Sequence, residues 1–221
     1  MPYYIHDGNP KFPDDYQAVE YIESTGTQYI DSGLKGNLET DIELSLNQLT
    51  NSTENTINCF GEGAVTSQAI TMNFSTTSSP RNSRFGDKVI QITNIPIATD
   101  LVIRFNKTSC VINNVNKGNF NATNNFTTNN MTIFKAATAP SQYYDCNIRI
   151  YYCKIWDNNI LVRNFIPCYR KSDNVAGLYD LVNGVFYTNA GTGTFIKGND
   201  IPYKNSVFLI KDNNNSMNIG G

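Results

Sequence analysis

Apolar and polar residues alternate with a period of two along most of the chain. The pattern is clear in "TDIELSL" (40–46), "DLVIRFN" (100–106) and "NIRIYYCKIW" (147–156). Such alternation places successive side chains on opposite faces of a β-strand. Turn-forming stretches such as "STG", "NKTS" and "DNN" separate these segments, and no amphipathic helix longer than two turns is visible. The sequence therefore predicts an all-β protein of roughly a dozen short antiparallel strands, arranged as a two-sheet sandwich or jelly roll.

Two hairpins are predicted in detail. Residues 101–105 and 110–112 flank "NKTS", and residues 154–156 and 160–165 flank the turn Asp157-Asn158-Asn159. Asn and Asp tolerate the left-handed backbone conformation that a tight hairpin turn requires. The only tryptophan, Trp156, ends the first of the latter two strands, and it is predicted to pack in the core.

The body and the ends of the chain differ in composition. Residues 16–204 form the predicted sandwich, within which the polar stretch 113–130 is interpreted as a long surface loop with a poorly defined strand. Residues 1–15 form a Pro- and Tyr-rich N-terminal arm, and residues 205–221 form a C-terminal strand and flexible tail. Because neither end can bury much surface alone, each is expected to be disordered or to dock on a partner.

Charge and hydropathy argue against several classes of partner. The 17 Lys and Arg residues nearly balance the 19 Asp and Glu residues, which argues against electrostatic binding of nucleic acid or anionic membranes. Apolar runs such as 207–210 are far shorter than the roughly 20 residues of a membrane helix. The N-terminus shows no secretory signal, so synthesis in the cytoplasm without export is expected.

Cysteine and histidine usage narrows the chemistry further. The five cysteines contain no CxxC pair, which predicts reduced and mostly buried thiols and no zinc site. Neither a metal nor a cofactor is predicted, although calcium stays open, with Asp14-Asp15 as the nearest acidic pair. The only histidine, His6, lies in the terminal arm, which argues against Ser-His-Asp and Cys-His catalysis.

Two long motifs resemble a known family. "YQAVEYIESTGTQYIDSGL" begins at residue 16, and "KIWDNNILVRNFIPCYRKSDNVAGLYDLVNGVFYTNAGTGTFIKG" ends at residue 198. They are similar to the opening and closing segments of laminin-G-like, or concanavalin A-like lectin/glucanase, sandwiches in the tail, fibre and other virion proteins of bacteriophages and prophages. The resemblance implies a concanavalin A-like jelly roll whose first and last strands pair in one sheet, with the closing motif locking that seam.

The closing motif contains eight residues of structural interest: Arg163, Pro167, Cys168, Arg170, Tyr179, Asp180, Gly191 and Gly193. The two arginines have planar forks suited to carboxylates, and Asp173 and Asp180 are the candidate partners. Pro167 is expected to end or kink the ladder of its strand, and the two glycines to permit a tight backbone. A structural role for the motif is favoured over a ligand site built from the same residues.

The resemblance implies a non-enzymatic structural protein of the virion, located on capsid, head fibre or tail, as part of an oligomer or larger assembly. Its arms would bind other virion proteins. An alternative is a stand-alone carbohydrate-binding module that attaches to host-surface glycans. Tyr143, Tyr144, Tyr151 and Tyr152 are candidate stacking platforms for sugar rings, although alternation sends half of such tyrosines into a core.

A second alternative is a glycoside hydrolase. Alternation would place Glu39, Asp41 and Glu43 of "ETDIE" on one face of a strand, and laminarinase-type enzymes of the same fold carry a similar strand. Retaining hydrolysis needs two carboxyl groups about 5–5.5 Å apart. Thr40 replaces the usual aliphatic residue, and a solvated strand face explains the three acids equally well, so no enzymatic activity is expected.

Overall fold

The computed structural model describes residues 12–49, 56–62, 69–78, 80–124, 129–135 and 147–202, and all of its regular structure is β. In chain order the first nine strands are β1 (Tyr16–Ala18), β2 (Ile22–Thr25), β3 (Ile30–Lys35), β4 (Thr40–Gln48), β5 (Thr56–Glu62), β6 (Ala69–Ser75), β7 (Arg81–Gly86), β8 (Lys88–Ile92) and β9 (Asp100–Asn106). The remaining strands are β10 (Ser109–Ile112), β11 (Val115–Asn119), β12 (Asn130–Ile133), β13 (Asn147–Asp157), β14 (Ile160–Arg170), β15 (Ala176–Asp180), β16 (Val185–Thr188) and β17 (Ile196–Lys197).

These strands form two antiparallel sheets. The larger sheet has the order β11-β10-β9-β4-β13-β14-β15-β16, with β1 paired to β14 and with β2 paired to both β13 and β17. The smaller sheet has the order β3-β12-β5-β6-β7-β8. Because β1 and β2 pair with strands near the C-terminal end of the described chain, the expected pairing of first and last strands is confirmed.

The sheets pack face to face around one apolar core. Phe105 of the larger sheet packs edge-on against Phe60 and Phe85 of the smaller sheet, with ring centroids 5.9 and 6.2 Å apart. Ile42 and Leu44 of β4 are fully buried in the same core. Alternating apolar residues of both sheets thus bury their faces against each other, which confirms a β-sandwich.

Both predicted hairpins are present. β9 and β10 pair across residues 107–108, and β13 and β14 pair across Asn158 and Asn159, whose φ angles are 49° and 64°. Two consecutive left-handed residues make the tight turn that matches the twist of the flanking strands.

The prediction of a long loop over 113–130 is wrong in its first part. Asn113 and Asn114 form a second left-handed turn, with φ angles of 48° and 63°, and β11 folds back on β10. Phe120 then enters the core, where it is 3 % exposed. An asparagine-rich composition indicates a loop, but two consecutive Asn residues also specify a tight hairpin turn.

Candidate functional site

The outer face of the larger sheet carries a group of polar and aromatic side chains on its central strands. Ile42 and Leu44 of β4 point into the core, so Asp41 and Glu43 point outward. We call the group the outer-face cluster. It consists of Asp41, Glu43, Arg104, Tyr152, Lys154 and Trp156. Strand register brings these residues together, because Asp41 lies opposite Trp156 while Glu43 lies opposite both Arg104 and Lys154.

Asp41 is held in an ion pair. Its carboxylate lies 2.8 Å from the Nη2 atom of Arg104. The Nε–H group of Arg104 also donates to this carboxylate, at 3.2 Å. The Arg104 guanidinium lies 5.2 Å from the ring centroid of Trp156, a cation–π distance. Trp156 is half-buried on this outer face, so the prediction that it packs in the core is wrong. A register shift between Ile155 and Trp156 accompanies this placement.

Glu43 is the most buried carboxylate of the cluster, at 7 % exposure. The Tyr152 hydroxyl donates a hydrogen bond to its Oε1 atom at 3.2 Å, and the Lys154 ammonium lies 5.2 Å from the Tyr152 ring. Burial lowers the pKa of Lys154, while the negative charge of Glu43 acts in the opposite direction. The neighbouring tyrosine and lysine therefore cover a carboxylate that faces outward.

The three acids of "ETDIE" do not share a strand face. Glu39 lies in the turn before β4, where it is exposed and its Oε1 atom is 2.6 Å from the Lys107 ammonium. Asp41 and Glu43 do share the outer face of β4, but each is engaged by its own partner. The expected row of three carboxylates is thus wrong at Glu39, since the strand begins at Thr40.

Of the four candidate tyrosines, Tyr151 and Tyr152 lie on the outer face, whereas Tyr143 and Tyr144 fall outside the described residues. A register shift between Ile150 and Tyr152 leaves both neighbouring rings half-buried, so alternation does not send one into the core. Tyr151 donates to Asp100 at 3.0 Å. Burial, and after it the Asp100 hydrogen bond, raise the pKa of Tyr151 to about 12.

Residues that the sequence analysis did not single out extend this face. Arg149 lies 2.8 Å from the Glu23 carboxylate and 4.2 Å from the ring centroid of Tyr21. Tyr21 in turn meets Tyr151 edge-on at 6.1 Å. Alternation in "NIRI" identifies Arg149 as outward, but only the pairing of β13 with β2 shows what lies beside it.

The closing motif builds a different kind of site, between the sheets. Asp180 is completely buried, and its Oδ2 atom lies 3.5 Å from Nε of Arg163. Arg163 also donates to the backbone carbonyl of Ser32 on β3, so it bridges the two sheets. Asp180 accepts further hydrogen bonds from the backbone N–H groups of Asn164 and Val182 and from the side-chain amide of Asn183. Arg170 pairs with Asp173 at 2.6 Å, so both predicted Arg–Asp pairs are confirmed.

Cys168 lies beneath a small aromatic cluster on the outer side of the same sheet. Phe12 and Tyr16 pack on Tyr179, with ring centroids 5.3 and 5.1 Å away, and Tyr16 also meets Phe186. Cys168 is fully buried in this cluster, and burial raises the pKa of its thiol. The last residues of the predicted N-terminal arm therefore pack on the sandwich, whereas residues 1–11 and 203–221 lie outside the described residues.

The ladder between β13 and β14 ends two residues before Pro167, at Phe165, while the ladder between β14 and β15 continues through Pro167. β14 runs on to Arg170, and Pro167 lies where the partner of β14 changes from β13 to β1. The carbonyl of Pro167 accepts a hydrogen bond from the backbone N–H of Val19. Proline has no backbone N–H of its own, and this gap falls where β13 no longer pairs with β14. Gly191 and Gly193 fit the expected tight backbone: a Cβ on Gly191 would collide with the carbonyl of Thr27, and Gly193 has a φ of 73°.

The described cysteines Cys59, Cys110, Cys153 and Cys168 are buried thiols that form no disulfide with one another, as predicted, while Cys146 and His6 fall outside the described residues. Within the described parts of the chain, no three His, Cys, Asp or Glu side chains group closely enough to hold a metal ion. The same residues include no helix with the length and apolar character to cross a membrane. Comparisons with protein-family models, curated proteins and solved structures find no match to this chain.

Proposed function

We propose that the protein is a non-enzymatic structural component of a bacteriophage virion, carrying a jelly-roll sandwich of the concanavalin A type on capsid, head fibre or tail. The observation that carries the proposal is the seam at the closing motif. The residues that resemble phage virion proteins are the ones that join β1 and β2 to β14, β13 and β17. The engagement of Glu39, Asp41 and Glu43 by partners of their own supports a non-enzymatic role.

The seam also gives a geometry for attachment. Phe12 and Ile201, near the two ends of the described chain, belong to one apolar cluster. The backbone N–H of Ile201 donates to the carbonyl of Ala18 at 3.0 Å, so the two terminal segments run side by side. The described chain therefore begins and ends at the same corner of the sandwich. This corner suits anchorage to other virion proteins, with the opposite end of the sandwich presented outward.

The test is cryo-electron microscopy of native phage particles that carry the gene, combined with mass spectrometry of the purified particles. We expect the sandwich as density on the capsid or tail, attached at the Phe12–Ile201 corner. A variant lacking residues 1–11 and 203–221 should fold but not be incorporated, while removal of either segment alone should reduce its copy number. Purified particles without this chain would refute the proposal.

A second candidate function, binding of neutral glycans, is favoured by the outer-face cluster. The half-buried rings of Tyr152 and Trp156 lie beside hydrogen-bonding carboxylates, an arrangement that suits sugar rings and hydroxyl groups. Since Asp41 and Arg104 neutralise each other, an anionic sugar would have to disrupt an existing ion pair.

Glycan-array binding of the wild type, Trp156→Ala and Tyr152→Ala proteins tests this second candidate. Both variants should lose binding to neutral glycans, whereas Tyr169→Ala, which removes a half-buried ring elsewhere on the sheet, should retain it. A wild-type protein that binds no glycan, or binding that survives both cluster variants, would exclude this site.

A further inference from the structure

A buried carboxyl group lies at the end of β5, in the smaller sheet and apart from both sites above. Glu62 has no exposed surface. β6 places Ile70 opposite it, and β12 places Thr132 opposite the adjacent Gly61. Neither β6 nor β12 contains an ionisable residue, and the ionisable residue nearest to Gly36 on β3, Lys35, is exposed. The described strands on either side of Glu62 therefore supply no positive charge to stabilise a carboxylate.

Within the described part of the chain, one of its two oxygens is hydrogen-bonded. The backbone N–H of Gly36 donates to Oε2 at 3.0 Å, whereas no described residue donates to the buried Oε1 atom. A Cβ on Gly36 would come within 3.2 Å of Oε1 and 2.6 Å of Ile70 Cδ1, so the backbone at Gly36 packs directly on the carboxyl group. Burial raises the pKa of Glu62 to about 7, while the Gly36 N–H acts in the opposite direction. A charged carboxylate here would lack hydration and a second donor.

Residues 36–39, which pack on Glu62, also contact the β13–β14 turn at one end of the outer face. Asn37, next to Gly36, donates through its backbone to Thr40 Oγ1 and through its side chain to Asp157, both at 2.9 Å. The backbone N–H of Asn158 donates to the carbonyl of Glu39 at 3.2 Å. Residues 36–39 therefore connect Glu62 to the β13–β14 turn, close to Trp156.

We propose that Glu62 is a proton-dependent latch, which holds residues 36–39 on the smaller sheet when it is neutral and releases them when it becomes charged. A neutral carboxyl tolerates the dry site, whereas a carboxylate is better solvated once the segment opens. The closed state binds the proton more tightly than the open state, so opening becomes more favourable as the pH rises from 4.5 to about 7, by on the order of 100-fold in total. This inference does not depend on the proposed function.

The test is hydrogen exchange of the Gly36 amide, measured by NMR between about pH 4 and 8 and corrected for the intrinsic exchange rate. This amide is the reporter because it donates to Glu62. In the wild type its protection should fall on the order of 100-fold across the range, while the matched Glu62→Gln variant should show no pH dependence. Constant protection in the wild type, or an equal fall in Glu62→Gln, would overturn the proposal.

A second measurement needs no variant. Titration of the Glu62 carboxyl carbon by NMR in the wild-type protein should give a midpoint near 7. A midpoint near the ordinary value of 4.5 would equally overturn the latch, because the closed and open states would then bind the proton alike.

Discussion

Two Arg–Asp pairs of the larger sheet show how burial changes the contribution of the same interaction to stability. Arg104 and Asp41 on the outer face lie 2.8 Å apart, with 50 % and 20 % of their side chains exposed. Arg163 and Asp180 in the seam lie 3.5 Å apart, yet their exposures are 13 % and 0 %. The longer pair is expected to matter more, because its partners would be left in a dry site if either were removed.

This difference shows where the molecule tolerates substitution. Asp180 accepts hydrogen bonds from three residues besides Arg163, so folding accounts for its place in the closing motif. Asp41 and Arg104 are partly exposed and paired with each other, so they can change without loss of the fold. Substitutions of this exposed pair are therefore expected to cost less stability than substitutions in the seam.

The largest effect is expected from Asp180→Ala. The substitution leaves Arg163 without its carboxylate and leaves buried N–H groups without an acceptor. We expect the free energy of unfolding to fall by about 3–5 kcal/mol, measured by urea denaturation. The control is Asp173→Ala, which breaks the exposed pair with Arg170 and should lower the free energy of unfolding far less. Equal losses in the two variants would contradict the comparison.

Glu62 should give the next largest effect, and one that depends on pH. Its pKa is about 7 in the folded protein against 4.5 for an ordinary Glu, so the unfolded chain loses this proton first as the pH rises. The stability contributed by the neutral group is fully present below pH 4.5 and is lost between 4.5 and about 7. Above about pH 7, Glu62→Gln should therefore raise the free energy of unfolding by about 2–3 kcal/mol relative to the wild type. A benefit of the same size at pH 4 would contradict this assignment.

Features fixed by neighbouring residues could be predicted from the sequence. The turn at Asn158-Asn159 follows from its residue types, and the pair Arg170–Asp173 joins residues three positions apart. The pair Arg163–Asp180 was also predictable, because β14 and β15 are consecutive antiparallel strands that place Asp180 opposite Phe165.

Features fixed by register between distant strands could not be predicted. Asp41 meets Arg104 and Trp156 only because β4 pairs with both β9 and β13 in one particular register. The register shift at Tyr151 also reverses the alternation for the rest of β13, so that Tyr152 and Trp156 lie on the outer face, and simple alternation from Ile150 cannot anticipate this. The outer-face cluster therefore emerged only from the structure, although "ETDIE" pointed to part of it.

Removal of Phe12 should have an intermediate effect and test how the terminal segment covers the seam. Phe12 is 5 % exposed and packs edge-on against Tyr179. We expect Phe12→Ala to lower the free energy of unfolding by about 2 kcal/mol and to make the Cys168 thiol react faster with a thiol reagent. Val175→Ala, at an exposed position, is the control for both measurements. Unchanged thiol reactivity in Phe12→Ala would show that Phe12 does not protect Cys168.

The smallest effect on stability is expected from Asp41→Asn, which removes the charge that holds Arg104 over Trp156. Because the pair is exposed, the free energy of unfolding should change by less than about 1 kcal/mol. Trp156 is the only tryptophan of the chain, so its fluorescence reports directly on the guanidinium above the ring. We expect the emission to change in Asp41→Asn but not in Asp173→Asn, whose arginine lies over Phe186. An altered outer face on an equally stable sandwich would show that this surface, unlike the seam, can change without loss of the fold.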